Sequence, residues 1–210
     1  MNKNLTDITL VVDRSGSMQS IREDAEGGVN SFIRQQRDQP GEASLTLVQF
    51  DNEYEFVYRG ANVQNVGDYR LHPRGSTALL DAVGRAINET GVRLSAMPEN
   101  ERPGLVVFVI VTDGMENASR EFKRSTVRGM IEQQEKVYSW KFLFLAANET
   151  AFAEASGIGI GRKHAVKYGK GRTREAHGVV AGKVAKMRMQ ASCGQTVQSE
   201  FSSEERAEME

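Results

Sequence analysis

An aspartate and two serines at alternate positions, Asp13-Arg14-Ser15-Gly16-Ser17, follow directly on the apolar run Ile8-Thr9-Leu10-Val11-Val12. The run reads as a buried parallel strand, which puts the aspartate at its carboxyl end. All three side chains offer oxygen only, which suits a hard divalent cation such as Mg²⁺. The same residue types also serve as ordinary turn and helix N-cap residues, and a helical pattern begins near Gln19. Taken alone, the pentapeptide supports either reading. Two later loops shift the balance toward metal. Arg74-Gly75-Ser76-Thr77 opens a second helical pattern, where Ser76 or Thr77 could equally be the N-cap, and Thr112-Asp113-Gly114 ends the most apolar stretch of the chain. In an open α/β sheet, ligands bind outside the carboxyl ends of the strands. Asp13, Ser15, Ser17, Thr77 and Asp113 are therefore expected to face one edge and surround one cation. Mg²⁺ keeps a near-octahedral oxygen shell and usually retains waters, so these side chains leave a position for an outside ligand. Mn²⁺ and Ca²⁺ are the alternatives.

The elements that hold these loops alternate strand with helix. Strands are expected over 6–13, 45–50, 54–58, 105–111 and 141–147, with a last edge strand over 164–168. The tight turn Asp51-Asn52-Glu53 makes the second and third strands an antiparallel hairpin. Helical spacing of apolar residues marks 19–38, a helix after Thr77, 121–137, a short helix capped by Asn148, and 172–191. In the second of these the apolar face runs from Leu79 to Leu94 and includes Val92. Gly27-Gly28 in the first helix suggests a close approach to the sheet, and the basic residues of the last helix, Lys183 and Arg188 among them, are expected on its solvent side. Such alternation predicts a doubly wound α/β fold: a mostly parallel sheet with one antiparallel edge strand and helices on both faces. The domain is expected to span 1–192, and the polar, acidic tail 193–210 to be disordered.

A chain of 210 residues fits one such domain. Its 39% apolar and 26% charged content are those of a soluble globular protein, and a formal net charge of −1 provides no general field for nucleic acid or an anionic membrane. No apolar run approaches the ~20 residues of a membrane span. The first strand begins almost at the N-terminus, with no room for a leader, and the single Cys193 excludes a disulfide framework, so the expected compartment is the reducing cytoplasm.

With these three segments in place, residues 5–168 resemble the von Willebrand factor type A family. Asp13-Arg14-Ser15-Gly16-Ser17-Met18, Gly75-Ser76-Thr77 and Thr112-Asp113-Gly114 are similar to the three parts of that family's metal-ion-dependent adhesion site. The phrase from Trp140 to Asn148 resembles intracellular bacterial and phage versions of the domain. The resemblance implies that Ser15, Ser17 and Thr77 are hydroxyl ligands and that Asp13 and Asp113 act directly or through water. It further implies a protein partner whose Asp or Glu completes the metal shell, and no enzymatic activity. Some cytoplasmic relatives work beside an AAA+ ATPase or a kinase, which is a third reading.

The competing enzyme reading is Mg²⁺-dependent phosphoryl transfer of the haloacid dehalogenase kind. That chemistry needs a second carboxylate two residues after the first, where this chain has Ser15, and an acid or base within reach. His72 lies near the Thr77 loop but reads as a solvated surface residue. Gly157-Ile158-Gly159-Ile160-Gly161 reads as a turn, since its spacing is not that of a dinucleotide loop. The basic stretch from His164 to Arg174 reads as a solvated face, with contact to phosphate or an acidic partner as the alternative. Glu116 and Asn117 either rim the metal loop or cap the helix that follows.

Overall fold

The apolar run Leu105–Val111, β-prone at every position, becomes the middle of β4 (Pro103–Thr112), and the sheet is built around it and β1 (Asn2–Asp13). A computed structural model describes residues 1–169 and 171–209; Lys170, in the basic stretch, and Glu210, at the end of the tail, lie outside them. The remaining strands are β2 (Glu42–Phe50), β3 (Tyr54–Asn62), β5 (Lys141–Ala146) and β6 (Ala165–Lys167). Their order is β3-β2-β1-β4-β5-β6, with only β2 and β3 antiparallel. The predicted fold class therefore holds: a doubly wound, Rossmann-like α/β sheet with one antiparallel edge strand.

Alternation along each strand separates two cores. Ile8, Leu10 and Val12 of β1 and Val107, Val109 and Val111 of β4 face α1 (Arg22–Arg37) and α5 (Thr173–Ser192). Val106, Phe108 and Ile110 face α2 (Leu79–Ser95), α3 (Arg124–Tyr138) and α4 (Glu149–Gly157) on the other side. In the parallel register Asp13 lies opposite Phe50, and Val12 opposite Val111. The strand-end loops of β1, β2 and β4 thus open on one edge, as parallel strands require.

Four expectations need correction. Val92 is exposed, and Leu94 is the residue that closes the apolar stripe of α2. Lys183 and Arg188 are buried: Arg188 donates to the carbonyls of Gln36, Pro40 and Gly41 beyond α1, and Lys183 reaches the Glu200 carbonyl at 2.8 Å and Glu205 at 2.7 Å. What covers Lys183 is the tail itself, which is ordered. Phe201 and Met209 are buried, α6 (Ser203–Ala207) starts with a capping box from Ser202 and Glu205, and the Phe201 amide donates to the Lys163 carbonyl. With Arg206 donating to the carbonyls of Arg162, Lys163 and Ala165, this segment closes over the turn before β6 and the first carbonyl of that edge strand.

The fourth correction concerns Gly28, which is buried against α5 rather than the sheet: a Cβ there would come within 2.6 Å of the His177 ring. Gly27 has open space at the same point. Gly27→Ala is expected to stabilise by up to about 1 kcal/mol through helix propensity alone. Gly28→Ala reverses the sign, losing about 1–2 kcal/mol to overpacking. Urea unfolding of the two variants checks this, and equal shifts for both would contradict the packing described.

Candidate metal centre

The five predicted oxygens sit in three loops at the carboxyl edge. β1 delivers Asp13, fully buried, and the chain then enters a 3-10 turn (Gly16–Ile21) pinned by the buried Met18. Asp13 Oδ1 accepts from the Ser15 amide at 2.6 Å and Oδ2 from the Thr112 hydroxyl at 2.6 Å, so both strands fix its rotamer. Ser15 Oγ and Ser17 Oγ are 3.1 Å apart, and Ser17 donates to Asp113 Oδ1 at 2.6 Å. A methyl group built on Gly114 would lie 2.9 Å from Thr77 Oγ1 and 3.6 Å from both Asp13 Oδ2 and Ser17 Oγ. Oxygens from the first two loops therefore converge on the space that the third loop leaves open by having glycine there. Asp13, Ser15 and Thr77 form a buried floor, with Ser17 exposed and Asp113 half-buried at the rim.

The hydroxyls are not spent on capping. Ser15 is the N-cap of the 3-10 turn, yet its side chain makes no capping bond, and the N-cap of α2 is Ala78, which has no polar side chain to cap with. The orphan amides at the start of α2 are served from elsewhere: Glu116 accepts from the Leu80 amide at 2.9 Å, and the Ser119 hydroxyl from that of Asp81 at 3.0 Å. Glu116 and Asn117 thus brace α2 and the Thr77 loop rather than α3. Asn117 Oδ1 accepts from the Thr77 amide at 2.9 Å, while its own amide donates to the Thr77 carbonyl at 3.0 Å. The exposed Met115 stands beside them, and His72 is exposed.

The electrostatics of this centre favour a cation. Burial pushes the Asp13 carboxyl up to about 6, against the hydrogen bonds from Thr112 and Ser15, and Asp113 adds repulsion. Burial also raises Asp113. Arg14, between Asp13 and Ser15 in sequence, turns away from them. Its Nε donates to Asp51 at 3.1 Å and its Nη1 to Glu55 at 2.6 Å. Asp51 is buried, accepts from Arg74 Nε at 2.8 Å and from the Glu53 amide, and its carbonyl accepts from the Ala78 amide. One carboxylate thereby ties the loop that carries Ser15 to the loop that carries Thr77. The sequence reading took Asp51 only for a turn residue; its place just past the end of β2, matching Asp13 after β1 and Asp113 after β4, was the available signal. Among the described residues no group of three or more His, Cys, Asp or Glu is placed to hold a metal. The present set has two carboxylates and three hydroxyls, a composition suited to a hard ion.

A scan of protein-family models finds no match, and a search of curated proteins finds no relative. Solved structures do match in fold. A von Willebrand factor type A protein from Catenulispora acidiphila superposes with a TM-score of 0.63 at 16% identity, over 86% of this chain and 43% of that one. The von Willebrand factor domain of a type V pili tip protein from Porphyromonas gingivalis gives 0.61 at 10% identity, over 95% and 98%. Proximal thread matrix protein 1 from the mussel byssus, in a form with a zinc-occupied MIDAS motif, gives 0.56 at 14%, over 89% and 44%. The chain spans less than half of the first and third of these proteins. Identities this low define the fold: that of a von Willebrand factor type A domain.

Proposed function

We propose that this chain is a metal-dependent protein-binding module, with Asp13, Ser15, Ser17, Thr77 and Asp113 holding a divalent cation whose shell is completed by an acidic side chain of a partner. The observation that carries this reading is the convergence of uncapped hydroxyls and a buried carboxylate on the gap beside Gly114. Two carboxylates balance a divalent ion, and the remaining donors are neutral, so the ion keeps its attraction for an external carboxylate. The open rim at Ser17 and Asp113, with Met115 exposed beside it, gives a partner access. Mg²⁺ is the ion we favour, by its preference for hydroxyl, carboxylate and water oxygens; Mn²⁺ and Ca²⁺ fit the same donors. A cytoplasmic, non-enzymatic role accords with this chemistry. Among the described residues no helix is long and apolar enough to cross a membrane.

The test is affinity capture with Mg²⁺ present, repeated with chelator and with Asp113→Ala. Captured protein should be lost under both changes. Capture indifferent to both, or Mg²⁺-dependent phosphatase turnover that requires Asp13, would overturn the reading in favour of another.

A further inference from the structure

The carboxyl edge does not end at the metal centre. β5 and β6 continue it in parallel, so Asn148 after β5 and Lys167 at the end of β6 fall in line with Asp13 and Asp113. Asn148 donates to the Asp113 carbonyl, and its neighbour Glu149 lines a cleft of about 410 Å³ along the outer side of β6. Four cations, Arg162, Lys163, Lys167 and Arg206, line that cleft against the single carboxylate of Glu149, with Phe152 as an apolar wall. Lys167 pairs with Glu149 at 2.7 Å and Lys163 with Glu200 at 3.3 Å. Arg162 lies over the Phe152 ring, 5.3 Å from its centroid, and Arg206 spends its donors on neutral backbone carbonyls. Among the described residues the last two charges thus face no carboxylate within salt-bridge distance, which leaves the described lining of the cleft with more cations than carboxylates.

We propose that this cleft takes a second acidic side chain of the same partner segment whose first acidic group reaches the metal, a proposal that rests on the binding reading above. Strands lie about 4.8 Å apart, which puts the end of β6 roughly 10 Å from that of β4 and the outer side of β6 about one spacing further. Three or four extended residues cover such a span at about 3.3–3.6 Å each. The partner class is therefore a doubly acidic extended peptide. It is oriented by one bond to the metal and a charge-assisted contact with Arg162.

The probes are an acetylated, amidated serine peptide with one aspartate, and the same peptide with a glutamate two, three or four positions further on. Each is titrated into the ¹⁵N-labelled protein with Mg²⁺. The single-aspartate peptide should shift the Gly114 amide; the doubly acidic one should also shift Glu149 to Phe152 and bind roughly three- to tenfold tighter at its best spacing. Arg162→Gln, on the surface, should remove most of that gain and leave the single-aspartate affinity unchanged. Glu149→Gln should increase it. A Gly114 shift with no gain from glutamate at any spacing overturns the cleft proposal alone. No Mg²⁺-dependent shift at Gly114 removes the binding reading and the proposal with it. Inorganic pyrophosphate binding at the cleft without metal, and more tightly than either peptide, would overturn the proposal by assigning the cleft to free phosphorylated compounds.

Discussion

Asp13→Asn is expected to make the metal-free protein more stable and the protein as a whole blind to Mg²⁺. The carboxyl is fully buried and titrates near 6 in the fold against 3.8 in the open chain, because burial outweighs the hydrogen bonds it receives. The sign follows directly. Below about pH 4 the group is protonated in both states and costs nothing. As pH rises toward 6 the unfolded chain ionises first and gains, so stability falls; above 6 the full cost, about 3 kcal/mol, is in place. Asparagine keeps an oxygen for the Ser15 amide, and its NH₂ can donate to the Thr112 hydroxyl, which accepts as readily as it donates. We expect a gain of about 1–3 kcal/mol at pH 7.5 in EDTA, a rise of several degrees for a domain of this size. The wild type should melt higher with Mg²⁺ and the variant should not respond. Differential scanning fluorimetry measures both, and a variant less stable in EDTA and still responsive to Mg²⁺ would refute the electrostatic account of this centre.

Asp51→Ala should be the most damaging single change at the carboxyl edge, although Asp51 is proposed to touch no metal. It removes the acceptor of Arg14 Nε and Arg74 Nε and of the Glu53 amide together. Arg14 is buried and one of its terminal nitrogens already lacks a hydrogen-bond partner, so the guanidinium is left leaning on Glu55, which is more than half exposed. Breaking a buried pair from one side costs about 3–5 kcal/mol, and the lower end fits here because Glu55 remains. The loops carrying Ser15 and Thr77 would lose their common tie, so Mg²⁺ affinity should fall at least tenfold even at temperatures where the variant is folded. Glu53→Gln, which alters an exposed pair with Arg74 and only a long contact of 3.8 Å with Arg14, should change stability by less than about 1 kcal/mol. Chemical denaturation with calorimetric Mg²⁺ titration separates the two effects. Normal Mg²⁺ affinity in folded Asp51→Ala protein would show that the tie does not position the site.

The sheet was legible because its signals are local. Apolar runs of five to seven residues followed by Asp or Asn mark buried parallel strands with polar carboxyl ends, and Asp51-Asn52-Glu53 marks the one reversal. The oxygen-bearing loops were legible for the same reason, since two of them sit at the ends of β1 and β4 and the third opens α2. What escaped depends on segments distant in sequence. Lys183 and Arg188 looked like a solvated face because helical periodicity does not reveal that residues 199–209 and the end of α1 cover it. Phe201 and Met209 are single apolar residues among polar neighbours, too sparse to register as a core element, although Ser202 and Glu205 carry a readable capping box. Asp51 looked like a turn residue because its two arginine partners lie 37 and 23 positions away.

A crystal structure with Mn²⁺, read by anomalous scattering, tests the central claim most directly. One Mn²⁺ is expected in the gap beside Gly114, with the Ser15, Ser17 and Thr77 hydroxyls as ligands, Asp13 and Asp113 bound directly or through water, and one position open to a carboxylate. An anomalous peak elsewhere, or a shell that omits Thr77, would contradict it.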